Sequence, residues 1–174
     1  MRDESVAVRW GDRVIAVLIV LNLIAAAVFA LAAIGTVIWE HALLSMLSAK
    51  YGGRVDEAGL VWAMRGLMAA GVVAVLPVDR CLRALQGVVA SVRDGDPFDH
   101  RNARRATTIG WALLAIQLLD LGFGAIVWLI ARTGADAATW QPSVGGWLSV
   151  LVAFVLARVF AAGARLRDDL EGTV

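Results

Sequence analysis

The stretch VIAVLIVLNLIAAAVFALAAIGTVIW, residues 14–39, carries no charged side chain over 26 positions. As a helix it measures about 39 Å at 1.5 Å per residue, more than the ~30 Å hydrocarbon core of a bilayer. It exceeds the ~7–15 apolar residues of a secretory leader, and both signs of charge precede it, so it is expected to remain as an anchor. Outward from it, three further apolar runs occupy 58–78, 109–131 and 144–164, interrupted only by Arg65, Asp120 and Arg158. The whole chain is 60% hydrophobic with a mean hydropathy of +0.74, above the roughly 45–50% of soluble domains. The tryptophans supply an independent marker, because spanning helices concentrate Trp at the two interfaces. Trp10 and Trp39 bracket the first run and Trp111 and Trp128 the third, while Trp62 and Trp147 open the second and fourth and Trp140 precedes the fourth. The expected fold is all-α: a four-helix transmembrane bundle forming a single membrane domain over 1–174.

Orientation follows from the Lys and Arg of the connections, which are in excess on the cytoplasmic side. Arg2, Arg9 and Arg13, then Arg80, Arg83, Arg93, Arg101, Arg104 and Arg105, then Arg165 and Arg167 lie on one side. Only Lys50, Arg54 and Arg132 lie on the other. Eleven against three places both termini, the 79–108 loop and the 165–174 tail in the cytoplasm. In that loop Leu82, Leu85, Val88, Val89 and Val92 recur at helical spacing opposite Arg83, Gln86 and Arg93, so the second run is expected to continue as an amphipathic helix. Gly95 and Pro97 should end it, and Asp99 should cap the next helix. The first helix is expected to extend through Leu43, Leu44, Met46 and Leu47 to a turn at Gly52 and Gly53. Gly66, Gly71, Gly122, Gly124, Gly145 and Gly146, with Ala26 and Ala30, provide small surfaces for close helix contact, within one chain or in a homo-oligomer.

An ionised residue at the centre of a spanning helix costs about 2.5–3.5 kcal/mol on insertion scales and usually has a partner. At about 1.5 Å per residue from the cytoplasmic end of each run, Arg158 falls near 9 Å, Gln117 near 12, Asn22 near 13, Asp120 near 16 and Arg65 near 20. These five form a candidate intramembrane polar cluster. One reading is a proton or ion relay through Asp120, hence a small transporter or proton-conducting protein. The other is a structural Asp120–Arg158 pair, favoured because two flanking cations hold a carboxylate ionised, whereas a proton carrier needs a pKa near neutrality.

No enzyme, cofactor or metal is expected. His41 and His100 fall on opposite sides of the membrane in this topology, so they cannot assemble a zinc pair or a Ser/His/Asp set. No GxGxxG or GxxxxGK[ST] phosphate loop occurs. Cys81 is the sole cysteine, which excludes an intramolecular disulfide. It reads as a small apolar boundary residue or a palmitoylation site. The net charge of +1 gives no field for direct nucleic-acid binding.

Two stretches carry a resemblance. Gly95, Pro97, Phe98, Asn102 and Arg105 fill a G-x-P-F-x-x-x-N-x-x-R pattern ahead of the third run, and Phe160, Gly163 and Leu166 fill an F-x-x-G-x-x-L pattern leading to the tail Glu171-Gly172-Thr173-Val174. In these the chain resembles the bacterial membrane family catalogued as domain of unknown function 2975. Ala106 departs from the Leu frequent there. The resemblance implies a small four-helix protein of the bacterial inner membrane. It also implies a cytoplasmic face that docks a small helix-turn-helix regulator. The same motif residues have a structural reading, with Gly95-Asp96-Pro97 as a turn, Phe98 packed on the membrane surface and Asn102 satisfying backbone groups.

Overall fold

The computed structural model describes residues 2–95 and 99–171, with side chains described for 10–95 and 99–169. Among these residues five helices follow one another: α1 (Arg2–Ile38), α2 (Glu40–Tyr51), α3 (Glu57–Arg93), α4 (His100–Arg132) and α5 (Val144–Glu171). No strand occurs among the described residues. Four stretches, Trp10–Ile38, Glu57–Arg93, His100–Arg132 and Val144–Asp169, are long and apolar enough to cross a membrane, the pattern of a multi-pass membrane protein.

The expected prolongation of the second run is borne out, since α3 continues without interruption to Arg93. Gly95 ends it with a φ of 78°, a left-handed conformation open to glycine because it lacks a Cβ. Its N–H bonds the Val92 carbonyl. Pro97, expected in the turn, and Phe98, expected against the membrane surface, lie outside the described residues. The prolongation of the first helix differs from expectation: Trp39, at φ −103° and ψ 30°, separates α1 from α2. The turn at Gly52 stands, with a left-handed φ of 60° and its N–H on the Ser48 carbonyl at 2.8 Å.

The chain divides into two compact units, the first comprising Met1–Asn22, Pro77–Ile116 and Val144–Val174, the second Leu23–Leu76 and Gln117–Ser143. Burial within them is inverted relative to a soluble protein. Among the described residues, six of the eleven buried hydrophobic ones are alanines, including Ala106, Ala153, Ala157 and Ala164, whereas Leu, Val and Trp dominate the exposed set. Lipid tails are as apolar as leucine, so helices gain more by close approach over small residues than by hiding large ones. In the second unit a Cβ on Gly71 would meet the Phe29 ring at 2.8 Å, and Gly66 faces Ile126. Gly122 and Gly145, also expected at contacts, face open space.

Candidate functional site

In the first unit, the family-like residues at the α3–α4 turn form a buried polar lock. Asn102 is fully buried and stands in the first turn of α4, an element that begins because Asp99 accepts the Arg101 N–H at 2.8 Å. Asn102 Nδ2 donates to Ser91 Oγ, and Ser91 Oγ donates to the Val88 carbonyl at 2.7 Å. Arg105, one turn further along α4, donates through Nη1 to Asn102 Oδ1 at 2.9 Å and to the Gly87 carbonyl at 2.8 Å. Position 87 must be glycine for this: a Cβ there would stand 2.5 Å from Arg105 Nε. A buried amide is costly unless its donors and acceptors are met, so each member of the network requires the others.

Charged groups surround this lock. His100 Nε2 lies 2.9 Å from Asp168 Oδ2, Arg93 Nη1 donates to Asp12 Oδ2 at 3.1 Å, and Arg101 Nε donates to Asp99 Oδ2 at 2.7 Å. The hydrogen bond from the Arg101 backbone holds the Asp99 carboxyl below its ordinary pKa, with the Arg101 guanidinium adding to it against the cost of partial burial. His100, Arg101, Arg93 and Asp168 are all more than half exposed. Of the second motif, Phe160 and Gly163 are half-buried and Leu166 is exposed.

The five residues expected as one intramembrane cluster divide between the units. Asn22 and Arg158 fall in the first, Arg65, Gln117 and Asp120 in the second. Within the second unit the partners also differ from those expected. Asp120 accepts a hydrogen bond from Trp140 Nε1 at 3.2 Å, a neutral donor. The indole lies over Gly124, where any Cβ would sit about 2.5 Å from the ring. Gln117, on the same face and buried, donates to the Ser143 carbonyl at 3.3 Å. Gln117, Asp120 and Gly124 therefore seat the non-helical 135–143 segment on α4, and Gln117 satisfies one of its carbonyls.

Arg65, expected beside Asp120, instead donates to Glu40 Oε2 at 2.8 Å and to the Thr36 carbonyl at 2.9 Å. The break at Trp39 leaves carbonyls at the end of α1 without their helical donors, and a cation there is favoured by the helix dipole as well. Arg65 thus serves as a cap supplied by a neighbouring helix. Its hydrogen bond and charge hold Glu40 below the ordinary carboxylate pKa.

Gly87, Ser91 and Glu40 were not among the residues singled out by sequence, and Trp140 was read only as an interface marker, although Gly87 and Ser91 stand one turn apart on the face of α3 turned to α4. Among the described residues no group of three or more His, Cys, Asp or Glu side chains is placed to hold a metal ion. No curated protein and no solved structure matches the chain. The family described as "Protein of unknown function (DUF2975)" matches residues 13–174, the span that includes the lock and both motifs, and the chain belongs to that family.

Proposed function

We propose that this chain is a non-enzymatic membrane protein of the bacterial inner membrane, with both termini cytoplasmic, whose 79–108 loop and 165–174 tail dock a soluble partner. A small helix-turn-helix regulator is the partner that the family resemblance supplies. The observation that supports docking is the Ser91–Asn102–Arg105–Gly87 lock. It fastens the α3 and α4 ends with buried hydrogen bonds and leaves His100, Arg101, Arg93 and Asp168 exposed around it. A charged surface held on a rigid base loses little side-chain and loop entropy on binding. The transport alternative has weaker support, because Asp120 is engaged by an indole N–H and Arg65 by Glu40, which leaves no continuous relay of titratable groups in the second unit.

The test is affinity capture of the detergent-solubilised full chain from its host, beside an Arg93→Glu/Arg101→Glu variant of equal stability. Recovery of one small DNA-binding protein by the parent and its loss with the variant is the expected result. Equal recovery by both, or no such protein from either, defeats the docking reading.

A further inference from the structure

A groove of about 720 Å³ runs between α4 and α5 inside the first unit, lined by Arg104 and Thr107 from α4 and by Leu151, Phe154, Val155 and Arg158 from α5, among others. Two contacts fix the register of these antiparallel helices: His100 meets Asp168 at the α4 start, and Trp111 packs edge-on against Phe154 with ring centroids 5.5 Å apart. Stepping four residues from Phe154 toward Asp168 brings Arg158 level with about Thr107, and Arg104 lies one turn nearer the α4 start.

Neither Arg104 nor Arg158 belongs to an ion pair among the described residues, whereas Arg65, Arg83, Arg93 and Arg101 each have an acid. Sequence explains why, for no Asp or Glu occurs in 101–119 of α4 or in 144–167 of α5. Arg105 is turned to α3 and held by Gly87 and Asn102, so its neighbour Arg104 faces away from that lock and into the groove. Beside Arg158 the surface is apolar, with Leu151, Val155, Leu156 and Val159 all exposed. A cation placed among lipid-facing aliphatic side chains requires an anion or a route to the interface.

We propose that this groove binds one anionic phospholipid, its phosphate between Arg104 and Arg158 and an acyl chain along Leu151, Phe154 and Val155. Two unpaired guanidiniums match a phosphate by charge and by geometry, as basic pockets between spanning helices do for anionic headgroups. The apolar wall below them selects a lipid over free phosphate. The proposal depends on α4 and α5 spanning a bilayer and is independent of the docking reading.

The experiment is native mass spectrometry of the purified full chain with phosphatidylglycerol or phosphatidylcholine of equal chain length, joined to crosslinking with a photoactivatable phosphatidylglycerol. The parent should retain phosphatidylglycerol preferentially and crosslink within 151–158. Arg104→Gln/Arg158→Gln should weaken retention by roughly fivefold per arginine removed. Arg54→Gln/Arg80→Gln, which removes two exposed arginines elsewhere, should leave it unchanged. Crosslinking of the parent keeps the test decisive if the double variant fails to fold. Equal retention of both lipids, crosslinks confined to other helices, unchanged retention in the folded double variant, or complete displacement by inorganic phosphate would each overturn the proposal.

Discussion

A single hydrogen atom at position 87 admits the Arg105 guanidinium, and the energetic weight of the α3–α4 lock rests on that space. Gly87→Ala should force Arg105 off the Gly87 carbonyl and weaken its hydrogen bond to Asn102 Oδ1, at a cost of about 1–3 kcal/mol. Thermal unfolding in detergent should show Gly87→Ala and Arg105→Ala losing stability to a similar degree. Their double variant should lose far less than the sum, because both remove one interaction. At Asp120 the partner identifies the outcome of substitution. Asp120→Asn keeps an oxygen for Trp140 Nε1 and should cost under about 1 kcal/mol, whereas Asp120→Leu leaves a half-buried indole donor unmet and should cost more, about 1–3 kcal/mol. No proton flux is expected from the parent in liposomes. A reproducible flux abolished by Asp120→Asn, with the protein still folded, would reverse this reading in favour of transport.

At the scale of elements, the α4 start depends on Asp99 and carries a pH signature. The native carboxyl has its pKa lowered by the Arg101 N–H, so ionised Asp99 adds stability above the unfolded-state pKa of about 3.9, and this is lost as pH falls through the lower native value. The gap in melting temperature between the parent and Asp99→Ala should therefore be constant near neutrality and close in acid. A gap that persists unchanged at pH 2 would show that the carboxylate charge is not the cause. The extent of α3 was legible because Leu82, Val88 and Val89 repeat at helical spacing up to Gly95. The break at Trp39 was not, because neither Gly nor Pro marks the stretch from Ile38 to Leu43 and the group that caps it is tertiary: Arg65, distant in sequence, donates to the Thr36 carbonyl at the end of α1 and to Glu40 at the start of α2. Of the polar residues, Gln117 and Asp120 were legible as sharing one face. Their partners were not, since Trp140 and Ser143 lie in a segment without periodicity.

For the whole molecule, four spans read directly from hydropathy, and the inverted burial of alanine inside and leucine outside accords with them. Sidedness is a separate matter of charge. The eleven-to-three distribution of Lys and Arg predicts that single cysteines at Ala103 and Ala137, introduced with Cys81→Ser, lie on opposite faces of the membrane. An impermeant thiol reagent applied to intact cells should reach position 137 and spare 103 until the cells are opened. Labelling of both in intact cells would sink the assignment.

The α3–α4 lock also bears on how the chain is made. Its hydrogen bonds join residues only 11 and 18 positions apart, so every atom it needs has been synthesised before the first residue of α5. Loops this short close within microseconds, while translation adds about 5–20 residues per second. The second and third spans can thus be fastened to each other at the insertion machinery while the fourth is still inside the ribosome, and α5 arrives to find a finished hairpin as its template.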